Sequence, residues 1–145
     1  VINKGTFELR IDTAFMDVIT NCSKISRPNQ DETWITKDII SGYVKLHQLG
    51  YAHSFESYYN NELVGGLYGI SIGNCFFGES MFSSVPQASK CALVKLFDNL
   101  KIKNYDIVDV QYMTEHLRMF GTIEIPYDEY VKILVEAYKK EIEFL

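Results

Sequence analysis

The sequence predicts an α+β fold, a mixed, mainly antiparallel sheet flanked by helices on both faces. Short runs alternate apolar with polar residues, as strands do, while other runs space their apolar residues three and four apart, as amphipathic helices do. These segments follow one another in the order β-α-α-β-β-β-α-β-α-α, without repeats, low-complexity tracts or an internal boundary. With 145 residues, 47% hydrophobic and 14% aromatic, the chain is expected to form a single domain with a core of its own.

Phe7, Leu9 and Ile11 alternate with polar neighbours and predict the first strand; Ala14, Phe15, Val18, Ile19 and Cys22 then follow helical spacing. Residues 26–33, with Pro28 and Asn29, read as a loop. Thr36 is a suitable N-cap for a second helix through Ile39, Ile40, Val44 and Leu46, which stops at Gly50. Residues 53–59, 63–72 and 75–83 read as an antiparallel meander, its turns at Asn60-Asn61 and Gly73-Asn74. Alternation along the last of these strands sets Glu79 and Met81 on one face and Ser80 and Phe82 on the other. Pro86 starts a helix with a stripe of Leu93, Val94, Leu96, Phe97 and Leu100. Residues 106–112 return as a mostly apolar strand, followed by helices at 114–120 and from 126 to about 144. This order fits the GNAT acyltransferase architecture, which does not by itself assign a reaction.

Composition excludes several classes. No run approaches the roughly 18 apolar residues of a membrane span, and the opening residues lack the order of a signal peptide, so a cytoplasmic protein is expected. Cys22, Cys75 and Cys91 are too scattered for a disulfide framework or a thiolate metal site and read as buried apolar residues. A net charge of -5 argues against a broad nucleic-acid surface, so any RNA must be gripped locally. The chain opens without Met almost directly into strand-like sequence, which suggests that an N-terminal portion of a larger protein precedes it.

The candidate chemistry is polar and sparse. Glu79, Asp109 and Gln111 stand on otherwise apolar strands, where an unbonded charge or amide is costly, and so they mark either a polar pocket or loop caps. Trp34, the only tryptophan, fits core packing or a platform for a nucleotide base. His47, His53 and His116 lack metal-ligand spacing, and no metal is expected. At Val85-Pro86-Gln87-Ala88-Ser89-Lys90 the helix start offers backbone N–H groups beside a hydroxyl and an ammonium; a phosphate seat and an ordinary helix start both fit. The glycine-rich pyrophosphate loop of coenzyme A-dependent GNAT enzymes is missing, and no cofactor is expected. No Ser or Cys sits in a nucleophile elbow.

Four blocks, taken together, are specific: Glu32-Thr33-Trp34-Ile35-Thr36, then Leu46-His47-Gln48-Leu49-Gly50-Tyr51-Ala52-His53-Ser54, then Leu63-Val64-Gly65-Gly66-Leu67-Tyr68-Gly69, then Gly78-Glu79-Ser80-Met81-Phe82-Ser83. With Ala88-Ser89-Lys90-Cys91-Ala92-Leu93, Asp109-Val110-Gln111 and Glu124-Ile125-Pro126, the chain resembles the leucyl/phenylalanyl-tRNA protein transferases over essentially its whole length. That resemblance implies a GNAT-like domain in which the 3′ end of an aminoacyl-tRNA takes the place of coenzyme A. The activity implied is transfer of Leu or Phe, with Met a further candidate, to acceptor proteins bearing an N-terminal Arg or Lys, which marks them for N-degron proteolysis.

By the same resemblance, Leu67, Phe76, Met81, Leu93, Leu96 and Val108 line an apolar pocket for the donor side chain. Trp34 stacks near the terminal adenosine, and Glu79, Asp109 and Gln111 form the reacting centre. Leu67 and Leu96 stand where familiar members carry a Met and a Phe, so preference among Leu, Phe and Met stays open. The family's N-terminal domain is expected to lie before Val1, and the 145-residue form alone is expected to be weakly active or inactive. The rivals are a coenzyme A-dependent N-acetyltransferase and a non-catalytic homologue that binds N-terminal peptides or RNA ends.

Overall fold

A computed structural model of the chain describes residues 7–24, 36–109 and 127–138. Among these residues five strands form one sheet in sequential order: β1 (Glu8–Ile11), β2 (Ala52–Tyr59), β3 (Glu62–Ile72), β4 (Cys75–Ser83) and β5 (Ile107–Asp109). The first four are antiparallel, and β5 joins β4 in parallel. Helices α1 (Phe15–Ser23) and α2 (Lys37–Gln48) follow β1, α3 (Ala88–Ile102) links β4 to β5, and α4 (Tyr127–Tyr138) comes last. The predicted α+β layout is therefore the observed one. The expected helix at 114–120 lies outside the described residues.

Local chemistry explains the boundaries. Asn60 and Asn61 both take positive φ, at 50° and 64°, as a tight type I′ hairpin requires. The Thr36 side chain accepts the Ile39 N–H at 3.3 Å and caps α2. At the other end Gly50, at φ 89°, lets its own N–H reach the His47 carbonyl while Tyr51 N–H reaches Leu46. Asn104, at φ 58°, repeats the device after α3, its N–H on Lys101 O and Tyr105 N–H on Leu100 O.

The sheet separates two apolar layers. Phe55, Leu67, Phe76, Ala92, Leu93, Leu96 and Leu100 pack on the α3 side. Phe15, Val18, Ile19, Cys22, Ala52, Tyr68 and Phe82 pack on the side of α1 and α2. No residue of α2 is fully buried; Ile39, Ile40, Tyr43, Val44 and Leu46 lie half-buried against that second layer. Among the described residues no helix is long and apolar enough to cross a membrane.

Beside these layers a buried polar network ties the β1–α1 turn to β2. Glu56, fully buried, accepts the Thr13 N–H at 3.0 Å and the hydroxyls of Thr13 and Ser54. Burial outweighs these bonds and raises its pKa. Asp12, at φ 58°, accepts the Ser54 N–H at 2.8 Å. Its residue type suits that backbone, because Asp tolerates the left-handed region better than most.

Candidate active site

The six apolar residues singled out in the sequence meet in one cluster. Leu67 and Met81 are rung partners across β3 and β4, Phe76 and Val108 across β4 and β5, and Leu93 and Leu96 descend on them from α3. All of these side chains lie on the α3 face, and the odd spacing of Phe76 and Met81 along β4 shows that its alternation is broken between them. Leu67, Phe76, Leu93 and Leu96 are buried, whereas Met81 and Val108 are half-buried. The cluster therefore comes closest to solvent at those two residues.

Asp109 pairs with Phe77 on the last described rung of the parallel pair, and β4 runs on from there to Ser83. By alternation Asp109 faces away from Val108, toward the side of its rung partner Phe77. Glu79 departs from simple alternation. Tyr68 pairs with Ser80 and Gly69 with Gly78, so Glu79 is the extra residue of a β-bulge. Its carboxylate lies near enough to the Tyr43 phenol of α2 to push that phenol, after burial, up to about 12, on the other side of the sheet from Met81. The expected sharing of a face by Glu79 and Met81 is thus corrected by the inserted residue. Glu79 and Asp109 project from one face of adjacent strands, and the apolar cluster lies on the opposite face of the same strand pair.

A bulge needs room. A Cβ on Gly69 would lie 2.3 Å from the Phe77 carbonyl oxygen and 2.6 Å from the Phe76 ring, so only glycine lets β3 and β4 close up beside Glu79. Gly78 opposite it was the available sequence signal, since glycine inside a strand often marks a bulge. Tyr43 had no such signal, being one more aromatic on the half-buried face of α2.

Ser89 and Lys90 open α3. The Ser89 N–H donates to Ser83 Oγ at 3.2 Å, and that hydroxyl donates to the Val85 carbonyl at 2.7 Å. One of the N–H groups expected to be open to a phosphate is thus capped from within the chain. Gln87 supplies no side-chain cap and sits at φ 74°. Trp34 and Gln111 lie outside the described residues.

His47 Nδ1 stands 2.8 Å from the Ala52 carbonyl oxygen, and His53 is buried among backbone and carboxylate partners. The three cysteines are buried thiols; burial, then Asp106, pushes the Cys75 thiol up to about 11, where it is unreactive at neutral pH. Among the described residues no group of three or more His, Cys, Asp and Glu could hold a metal ion.

Comparison with known proteins adds four findings. Residues 1–135 match the sequence pattern of the leucyl/phenylalanyl-tRNA protein transferase family. A leucyl/phenylalanyl-tRNA–protein transferase of Pelodictyon phaeoclathratiforme is 49% identical over 142 residues, 98% of this chain and 73% of that protein. One of Chlorobaculum parvum is 47% identical over 145 residues, 100% of this chain and 74% of that protein. In three dimensions the chain is similar to a possible acetyltransferase from Clostridium difficile 630, with a TM-score of 0.60 at 14% identity over 84% of this chain and 93% of that one. At that identity the likeness establishes the GNAT-like fold alone.

Proposed function

This chain belongs to the leucyl/phenylalanyl-tRNA protein transferase family, and from that membership we propose how its residues divide the work of moving an aminoacyl group from tRNA to a protein N-terminus. The reaction is aminolysis of an ester. The acceptor's α-amine, neutral and in line, attacks the aminoacyl carbonyl; the C–O bond to the ribose breaks as the C–N bond forms, and the amine proton ends on the ribose oxygen. Most of what a protein can add is position, because the ester is already activated.

We assign the donor side chain to the apolar cluster of Leu67, Phe76, Met81, Leu93, Leu96 and Val108. The observation that carries this assignment is their convergence from three strands and one helix, on the opposite face of the β4–β5 pair from Glu79 and Asp109. Gln111, oriented by Asp109, holds the attacking amine through its side-chain carbonyl; a neutral amide positions better than it deprotonates. Glu79 takes the cationic side chain of an N-terminal Arg or Lys. Trp34 stacks on the terminal adenine, and Ser89 with Lys90 lies toward the phosphates. The family's N-terminal domain would complete the grip on tRNA, and the modified acceptors would enter N-degron proteolysis in the cytoplasm.

The decisive experiment measures transfer from charged tRNA by Asp109→Ala and Gln111→Ala variants shown to be folded. A fall of roughly 10²-fold or more is expected. Near wild-type rates would remove both residues from the site.

A further inference from the structure

We propose that Ser57 and Gly65 are positioning residues for donor choice: they seat the first turn of α3 on the sheet and so set the width of the donor pocket. This rests on the assignment of that pocket made above. Ser57 and Gly65 are rung partners across β2 and β3, and Phe55 and Leu67 form the next pair on the same face. Ser57 is fully buried, and its hydroxyl donates to the Ala88 carbonyl at 2.6 Å. Beside it the helix lies on bare β3 backbone. A Cβ on Gly65 would stand 2.5 Å from Ala88 Cβ, 2.8 Å from the Ala88 carbonyl carbon and 2.9 Å from the Ser89 nitrogen.

This seat is in line with the pocket. Ala88, Ala92 and Leu96 are buried and spaced four apart, which stacks them on the face of α3 turned to the sheet. The far end of the helix is fastened separately: Asn74 Nδ2 donates to the Asn104 carbonyl at 3.0 Å, and the hydroxyls of Ser71 and Tyr105 meet at 2.6 Å. A stiff helix held at that end and lifted at the other tilts as one body. Restoring ordinary contact, 3.4 Å or more, over a Cβ on Gly65 lifts Ala88 by about 1 Å and Leu96, midway along α3, by about half as much. The α3 wall of the pocket then moves outward while Phe76 and Val108 stay on their strands. An apolar pocket discriminates by about tenfold or more per methylene, so an opening of this size registers in the choice between Leu and Phe.

Competition between Phe-charged and Leu-charged tRNA on the intact protein tests the proposal. Ser57→Ala removes only the tether and is expected to raise the Phe-to-Leu ratio of kcat/KM about threefold, with acceptor KM within about twofold of the parent. Gly65→Ala should raise the ratio about fivefold, and adding Ala88→Gly, which takes away the nearest atom, should bring it back toward the parent value. A loss of folded protein lowers transfer of both donors together and leaves their ratio where it was, so a purely structural role does not move this readout. If Leu96→Ala leaves the ratio unchanged, the pocket assignment falls and the proposal with it. If Leu96→Ala raises the ratio but Ser57→Ala does not, the pocket stands and the seat is overturned; this comparison holds even where Gly65→Ala fails to fold. A Gly65→Ala effect that Ala88→Gly leaves intact overturns the role of the Gly65–Ala88 contact.

Discussion

Asp12 Oδ2 lies 2.7 Å from His53 Nδ1, while His53 Nε2 lies 3.0 Å from the Gly50 carbonyl oxygen. One carboxylate thus fastens the β1–α1 turn to both a buried histidine and the Ser54 N–H. Asp12→Ala would strand both donors and is expected to cost about 2 to 4 kcal/mol, with Asp12→Asn costing about half as much because it keeps an acceptor and tolerates positive φ. Urea denaturation checks the order. An alanine variant as stable as the parent would show the network to be idle.

Glu56 gives a pH signature. Its folded pKa is raised, chiefly by burial, so the folded state favours the protonated acid. The stability it contributes is fully present below the unfolded value of about 4.5 and is lost as pH rises through the raised folded value. Glu56→Gln has no such titration, and the stability gap between parent and variant should narrow as pH climbs from 4 to 7. Denaturation at both pH values measures this; a widening gap contradicts the assigned direction.

Gly69→Ala brings a methyl group against backbone that cannot yield cheaply. The expected loss is about 2 to 4 kcal/mol, by overpacking. Because Glu79 is the residue inserted in the same rung, transfer per folded molecule should drop as well. Assaying activity alongside the folded fraction separates these effects, and unchanged specific activity would uncouple the bulge from the chemistry.

Leu96→Ala removes volume from the proposed donor pocket and, as a core truncation, should cost about 2 to 5 kcal/mol. Stability alone does not identify a pocket. The diagnostic is the ratio of Phe to Leu transfer, expected to rise by about tenfold in kcat/KM as the cavity admits the larger ring. Competition between the two charged tRNAs reads it directly; a constant ratio would make Leu96 ordinary core.

The strands were the most legible part of the chain. Two-residue turns and period-two patterning place β4 at residues 75–83, as found, and β2 and β3 within one residue at their starts. What alternation does not encode is an insertion in register, and so the side of the sheet to which Glu79 turns was hidden even though its strand was not. The Asp12, His53 and Glu56 network was equally hidden, because its partners are far apart in sequence and carry no local pattern. The cluster around Leu67 and Leu96 came from likeness to a family, not from spacing, since four different elements contribute to it. Trp34 and Gln111 fall outside the described residues.

The central strands β2, β3 and β4 are joined by two-residue turns, whereas β1 reaches β2 only after two helices, and β5 reaches β4 after one. Closing a long loop costs more chain entropy than closing a short one, so the three-strand meander should assemble before its outer neighbours dock. Pulse-labelled amide exchange during refolding would then protect Phe55, Leu67 and Phe76 early and Leu9 late. A β1 that gains protection first would place the birth of this fold elsewhere.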